Sequence, residues 1–271
     1  MAKQNRQSFG MILPIALLAY FMILMDNSIV FTSSLEIGQA LHMNAGQLAW
    51  VSNAYTLTFG GFLLLSGRLS DLLGRKKIFQ LGLALFGLMS LLVGLSQSGS
   101  MMIVSRAVQG IGASIIAPTT LALIMDAYTV EKRTRAISYY GATAGIGSSL
   151  GLLVGGSLTS LVSWRAGFLI NVPITAVLLI LTQKYVKRYR SIKTKIDYVG
   201  SILSVAGLAV LIYGLGADEY QIVGIFSGIV LLTVFVFYES RQSNPILPLE
   251  LLQIPVRRYM SSAKNGAFML S

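Results

Sequence analysis

The chain has 271 residues, of which 54% are hydrophobic and 11% charged, with a mean hydropathy of +0.71. A soluble domain carries about 25% charged residues, so this chain cannot cover a water-facing surface and reads as an integral membrane protein. Its net charge of +11 raises nucleic acid as a partner, but the basic residues sit in short segments between apolar runs, which favours a bilayer and excludes nucleic acid. With no cysteine, disulfides, thiol chemistry and Cys-ligated metal sites are impossible, and the single His42 leaves no His-rich metal site.

A membrane span needs roughly 20 mostly apolar residues. Eight such runs are expected, at 9–32, 47–66, 78–96, 101–125, 135–159, 166–186, 198–216 and 222–238. The first follows Lys3 and Arg6 but is too long for a signal-peptide core, and no small-residue cleavage site ends it. The N-terminus and the segments after spans 2, 4, 6 and 8 hold 19 of the 21 Lys and Arg; the segments after spans 1, 3, 5 and 7 hold only Arg165. The positive-inside rule therefore places the N-terminus in the cytoplasm of a multi-pass cell-membrane protein. The expected fold class is all-α and polytopic: residues 1–190 form a six-helix bundle of 3+3 inverted repeats, 191–245 carry two linker helices, and 246–271 hold a cytoplasmic segment and the start of a ninth helix. Before that start lies an amphipathic stretch at 244–252.

Chemistry-bearing residues follow in chain order. Asp26 lies inside span 1. A carboxylate at membrane depth costs roughly 2.5–3.5 kcal/mol on insertion scales. An acid that is neutral when buried and charged when hydrated is a natural proton carrier; the competing reading is a structural acid paired with a neighbouring helix. Trp50, Tyr55, Tyr139 and Tyr140, with Gln109, are candidate cavity-lining residues, although interface belts and packing use the same residue types. Residues 67–77 form a short charged loop with four basic residues and one acid. Arg106 lies inside span 4 at a depth similar to Asp26, roughly 9 Å below the outer surface at a rise of about 1.5 Å per residue. Arginine keeps its proton in proteins, so its role would be to tune a nearby acid; alternatively it satisfies backbone carbonyls. Span 5 carries Gly141, Gly145, Gly147, Gly151, Gly155 and Gly156, and small residues four apart let helices approach closely in lipid. Gly110-x-Gly112 lies in an apolar run and follows no strand, so a dinucleotide site is excluded. No nucleophile–base pair, phosphate loop or metal cluster occurs, so an enzyme is not expected.

These motifs resemble the major facilitator superfamily. Gly67-Arg-Leu-Ser-Asp71-Leu-Leu-Gly74-Arg75-Lys76 matches its signature between helices 2 and 3. Arg106-x2-Gln109-Gly110-x-Gly112 is similar to its helix-4 motif, and Gly147, Gly151, Gly155 and Gly156 to its helix-5 antiporter motif. Residues 25–30, Trp164-Arg165 with Phe168-x-x-Asn171-x-Pro173, and the stretch 244–252 resemble the 14-helix drug:proton antiporter branch.

The resemblance implies a secondary transporter that exports hydrophobic or cationic drugs against proton entry, with no cofactor beyond the proton gradient. It implies proton coupling at Asp26 and Arg106. It also implies a cytoplasmic conformational latch formed by Gly67, Asp71, Gly74, Arg75 and Asp126. The chain departs from the family pattern at Leu152, where the antiporter motif has proline, and at Phe31 and Glu36 in helix 1. The family carries a second six-helix bundle, so the chain is expected to be an N-terminal part of the pattern. The alternative is a truncated, non-transporting membrane protein or assembly subunit.

Overall fold

The computed structural model describes residues 9–187, 197–216 and 220–242, all of whose regular structure is helical. The helices are α1 (Ile12–Ala40), α2 (Ala45–Leu73), α3 (Arg75–Gly94), α4 (Gly99–Ala127), α5 (Val130–Leu161), α6 (Trp164–Leu169), α7 (Asn171–Tyr185), α8 (Tyr198–Gly216) and α9 (Gln221–Glu239). With α6 and α7 counted together, seven segments are long and apolar enough to cross a membrane, and α8 is a further apolar helix. The 244–252 stretch, the start of a ninth span, Lys3 and Arg6, and most of the linker between the sixth and seventh spans lie outside the described residues.

The helices outrun the apolar windows, because hydropathy ends at the membrane surface whereas helical hydrogen bonding does not. The charged stretch 67–77 illustrates this and corrects the expectation of a loop. α2 continues to Leu73 and α3 starts at Arg75, leaving only Gly74 between them. Gly74 has φ +95°, in the region where a Cβ is strongly disfavoured. Arg and Lys are good helix formers, so nothing in this stretch stops the helices earlier.

Local signals set other boundaries. His42 turns the chain out of α1 with φ +52°. A capping box opens α2: Asn44 Oδ1 accepts from the Gln47 N–H at 2.8 Å, and the Asn44 N–H donates to Gln47 Oε1 at 3.1 Å. The sixth span is divided after Leu169. Pro173 has no N–H to give the Leu169 carbonyl, and its ring crowds that carbonyl, so α6 ends there and α7 restarts at Asn171.

The main helix pairings are α2 with α4, α1 with α5, α3 with α4, and α3 with α7, while α8 and α9 form a hairpin resting on α2. Exchanging the first three spans for the next three converts the α2–α4 contact into the α5–α1 contact, as expected of a 3+3 repeat. Close approach explains where glycine is needed. A Cβ on Gly151 would stand 2.8 Å from both Met25 Cα and Ser28 Cβ, and one on Gly155 would stand 3.0 Å from Ile29 Cα. A Cβ on Gly147 would stand 3.1 Å from Leu24 Cβ, a looser contact on the same side, so one face of α5 seats its backbone against the α1 turn that carries Asp26. Gly141, Gly145 and Gly156 have open space where a Cβ would go and are not part of this seam.

Candidate functional site

Asp26 lies near the middle of α1, because the helix runs on to Ala40. Arg106 lies about two turns into α4. Both side chains are fully buried, and Arg106 Nη1 donates to Asp26 Oδ2 at 2.5 Å. Sequence placed them at one depth; their approach requires α1 and α4 to share the bundle core, which they do.

The second carboxylate oxygen is also held. Asp26 Oδ1 accepts from Gln109 Nε2 at 3.0 Å and from Asn171 Nδ2 at 2.7 Å. Ser90 of α3 accepts from the same two amides, at 2.7 and 3.4 Å respectively. Gln109 lies one turn beyond Arg106, close enough for its Oε1 to accept from Arg106 Nη1 at 2.8 Å. Arg106 Nε donates to the Val51 carbonyl at 3.4 Å, and the guanidinium lies 4.1 Å above the Tyr55 ring and 5.8 Å from the Phe168 ring. Four spans therefore converge on one carboxylate. Its three direct donors all complement an ionised acid. Arg106 Nη2, Asn171 Oδ1 and the Tyr55 hydroxyl are buried without a hydrogen-bond partner.

The candidate cavity residues separate. Tyr55 is buried beneath Arg106, and Gln109 belongs to the carboxylate cage. Trp50 is half-buried and pairs with Tyr213 of α8 at 5.6 Å. Tyr139 is exposed and meets Phe9, while Tyr140 stacks on Tyr20 at 4.0 Å. Asn171 and Ser90 are site residues that the sequence reading misses. Asn171 lies in the Phe168-x-x-Asn171-x-Pro173 motif, and a polar residue just before a proline in an apolar run is the signal that marks it; Ser90, one serine in an apolar helix, carries no such signal.

A second charged cluster lies at the Gly74 end. Arg75 Nη2 donates to Asp71 Oδ1 at 2.9 Å, and its Nη1 meets Asp126 Oδ1 at 2.5 Å and the Ala122 carbonyl at 2.8 Å. Asp71, Arg75 and Asp126 thus form one three-residue group between α2, α3 and α4. Their side chains remain 21–34% exposed. A Cβ on Gly67 would stand 3.9 Å from Pro118 Cβ of α4, an ordinary contact. Glu36 and Leu152 are both exposed. Among the described residues no group of side chains is arranged to hold a metal ion.

A multi-pass helical bundle that seals an acid–arginine pair among polar side chains has the architecture of a membrane transporter. The chain belongs to the Major Facilitator Superfamily, whose sequence profile matches residues 16–261. It is 36% identical over 237 residues to the uncharacterized MFS-type transporter EfpA of Mycobacterium tuberculosis, covering 84% of this chain and 44% of that protein. It is 34% identical over 255 residues to the cephamycin export protein CmcT of Amycolatopsis lactamdurans, covering 90% and 52%. The chain thus spans about half the length of the curated relatives it matches. Its fold is similar to the crystal structure of the peptide transporter POT in complex with sulfate, with a TM-score of 0.66 at 15% identity over 87% of this chain and 52% of that one.

Proposed function

We propose that this chain forms the coupling half of a 14-helix drug:proton antiporter, which exports hydrophobic or cationic small molecules across the cell membrane in exchange for protons. The observation that carries the proposal is the sealed Asp26–Arg106 pair at the core of the bundle. An ionisable pair inside a membrane segment is expensive unless it works, and this one can exist in two states. With Asp26 ionised, Arg106, Gln109 and Asn171 hold α1, α4 and α7 together. A proton arriving from outside cancels the charge that Arg106 faces and loosens that clasp. The bundle is then free to change its tilt, and proton release on the other side restores the clasp.

The similarity to a protein named for cephamycin export supports small-molecule export. The 19-to-1 division of basic residues supports a cytoplasmic N-terminus. That orientation puts the Asp71–Arg75–Asp126 group on the cytoplasmic face. There it would act as a latch, closed when α2, α3 and α4 are drawn together.

The test is pH-gradient-driven efflux in everted vesicles. Asp26→Asn keeps the size and most of the hydrogen bonding but cannot exchange a proton; it is expected to reduce gradient-driven efflux at least about a hundredfold, the lower end for losing a positioned proton-transfer group. Undiminished gradient-driven efflux by Asp26→Asn would sink the coupling role.

A further inference from the structure

The cage around Asp26 holds a buried amide oxygen with nothing to accept. Asn171 Nδ2 donates to Asp26 Oδ1 at 2.7 Å, while Asn171 Oδ1 is buried without a partner. A buried amide oxygen left unpaired is costly and calls for an explanation. The asymmetry lies in how the two amides of the cage are held. Gln109 is pinned at both ends: its Oε1 accepts from Arg106, and its Nε2 donates to Asp26 and Ser90. Rotating it would break all three bonds. Asn171 is held only through Nδ2, to Asp26 and more weakly to Ser90. Its terminal torsion joins an sp³ to an sp² carbon, for which a half-turn is an allowed, roughly two-fold motion.

Protonating Asp26 creates the partner that Asn171 Oδ1 lacks. A hydroxyl on Asp26 Oδ1 would point at two N–H donors in the present arrangement. A half-turn of the Asn171 amide replaces one of those donors with an acceptor, while Nδ2 takes the position that Oδ1 held and gives up its longer bond to Ser90. We propose that Asn171 reads the protonation state of Asp26, donating through Nδ2 to the carboxylate and accepting through Oδ1 from the carboxylic acid. The proton comes from water and stays on Asp26, so Asn171 neither gains nor loses one. Asn171 is a positioning residue, and its place at the start of α7, beside the Pro173 interruption, connects the proton to the sixth span. This inference rests on the proton-coupling reading of Asp26 given above.

The test is infrared difference spectroscopy of the chain reconstituted in lipid, titrated between about pH 4 and 10, a range wide enough to include strongly shifted carboxyl groups. The carboxylic-acid carbonyl band of Asp26 is identified by its loss in Asp26→Asn. In Asn171→Leu, of similar volume but unable to hydrogen-bond, the band is expected at higher wavenumber. Because Asn171 bonds both protonation states, its loss should move the midpoint by less than the roughly tenfold in proton concentration expected of a donor that serves the carboxylate alone. Asn171→Ser, which keeps a rotatable donor and acceptor, should restore both readings most of the way.

Should Asn171→Leu fail to fold, the unsubstituted chain carrying amide-¹⁵N-labelled asparagine serves instead. Its Asn171 amide band, assigned by loss in Asn171→Ser, should shift with the same midpoint as the carboxyl band. An Asp26 band left unchanged by Asn171→Leu, or an Asn171 amide band that does not move, overturns the inference and leaves proton binding at Asp26 intact. If no Asp26-dependent band titrates across the range, the inference and the proton-coupling reading fall together.

Discussion

Among the described residues there are two arginine–carboxylate groups, and they differ in surroundings more than in chemistry. Arg106 and Asp26 are fully buried at 2.5 Å, with Gln109, Asn171, Ser90 and Tyr55 packed around them. Arg75, Asp71 and Asp126 meet at 2.5–2.9 Å but stay 21–34% exposed where three helices end. In the first group each charge depends on its partner, because no water replaces a lost one. In the second, water can take over much of what a missing partner supplied. The same ion pair is therefore a mutually dependent buried unit in one place and a weak, salt-sensitive clip in the other.

The largest expected effect comes from Arg106→Ala, which strands Asp26 in the core. It should destabilise the bundle by about 3–5 kcal/mol, the usual cost of breaking a buried pair. Equilibrium unfolding in mixed micelles measures it. The comparison is sharpened by the double substitution Asp26→Leu with Arg106→Met, which removes both charges and should recover part of that loss, the remainder reflecting the Gln109 and Asn171 amides left without their partners. A double variant as unstable as Arg106→Ala would show that packing, not charge, dominates this region.

Next comes Gly151→Leu. Its side chain would collide with Met25 and Ser28 and lever α5 away from the α1 turn holding Asp26. A loss of about 1–3 kcal/mol is expected, as for overpacking generally, whereas Gly156→Leu, with open space around it, should be nearly neutral in the same unfolding assay. Equal effects at the two glycines would refute the assigned seam.

The smallest effect is at the exposed group. Arg75→Ala should cost about 1 kcal/mol, in keeping with partly exposed pairs. That cost should shrink as salt rises from about 0.05 to 0.5 M, where the screening length falls to a few Å. The Arg106→Ala cost should not change over the same range. If both respond to salt alike, the contrast between the regions fails.

Much of this was legible in the residues. Eight apolar runs of about 20 residues determine a polytopic helical protein, because the other structure a bilayer admits, a closed β-barrel, is built of strands of about 10 residues with alternating polarity. An acid and an arginine inside those runs mark a site, because charge at that depth is expensive. The spacing of Gly147, Gly151 and Gly155 marks a close helix contact, because only a missing side chain permits one.

Other features were decided by tertiary structure. That the charged stretch 67–77 is two helices meeting at Gly74, not a loop, depends on hydrogen bonding that hydropathy does not record. That Gly156 lies outside the seam depends on which side of α5 meets α1. That Gln109 serves the carboxylate and not a cavity wall, and that Asn171 and Ser90 complete the cage, depends on α3, α4 and α7 converging on α1. Sequence determined which residues are too costly to bury alone; only the packing of distant helices decided which partners make their burial possible.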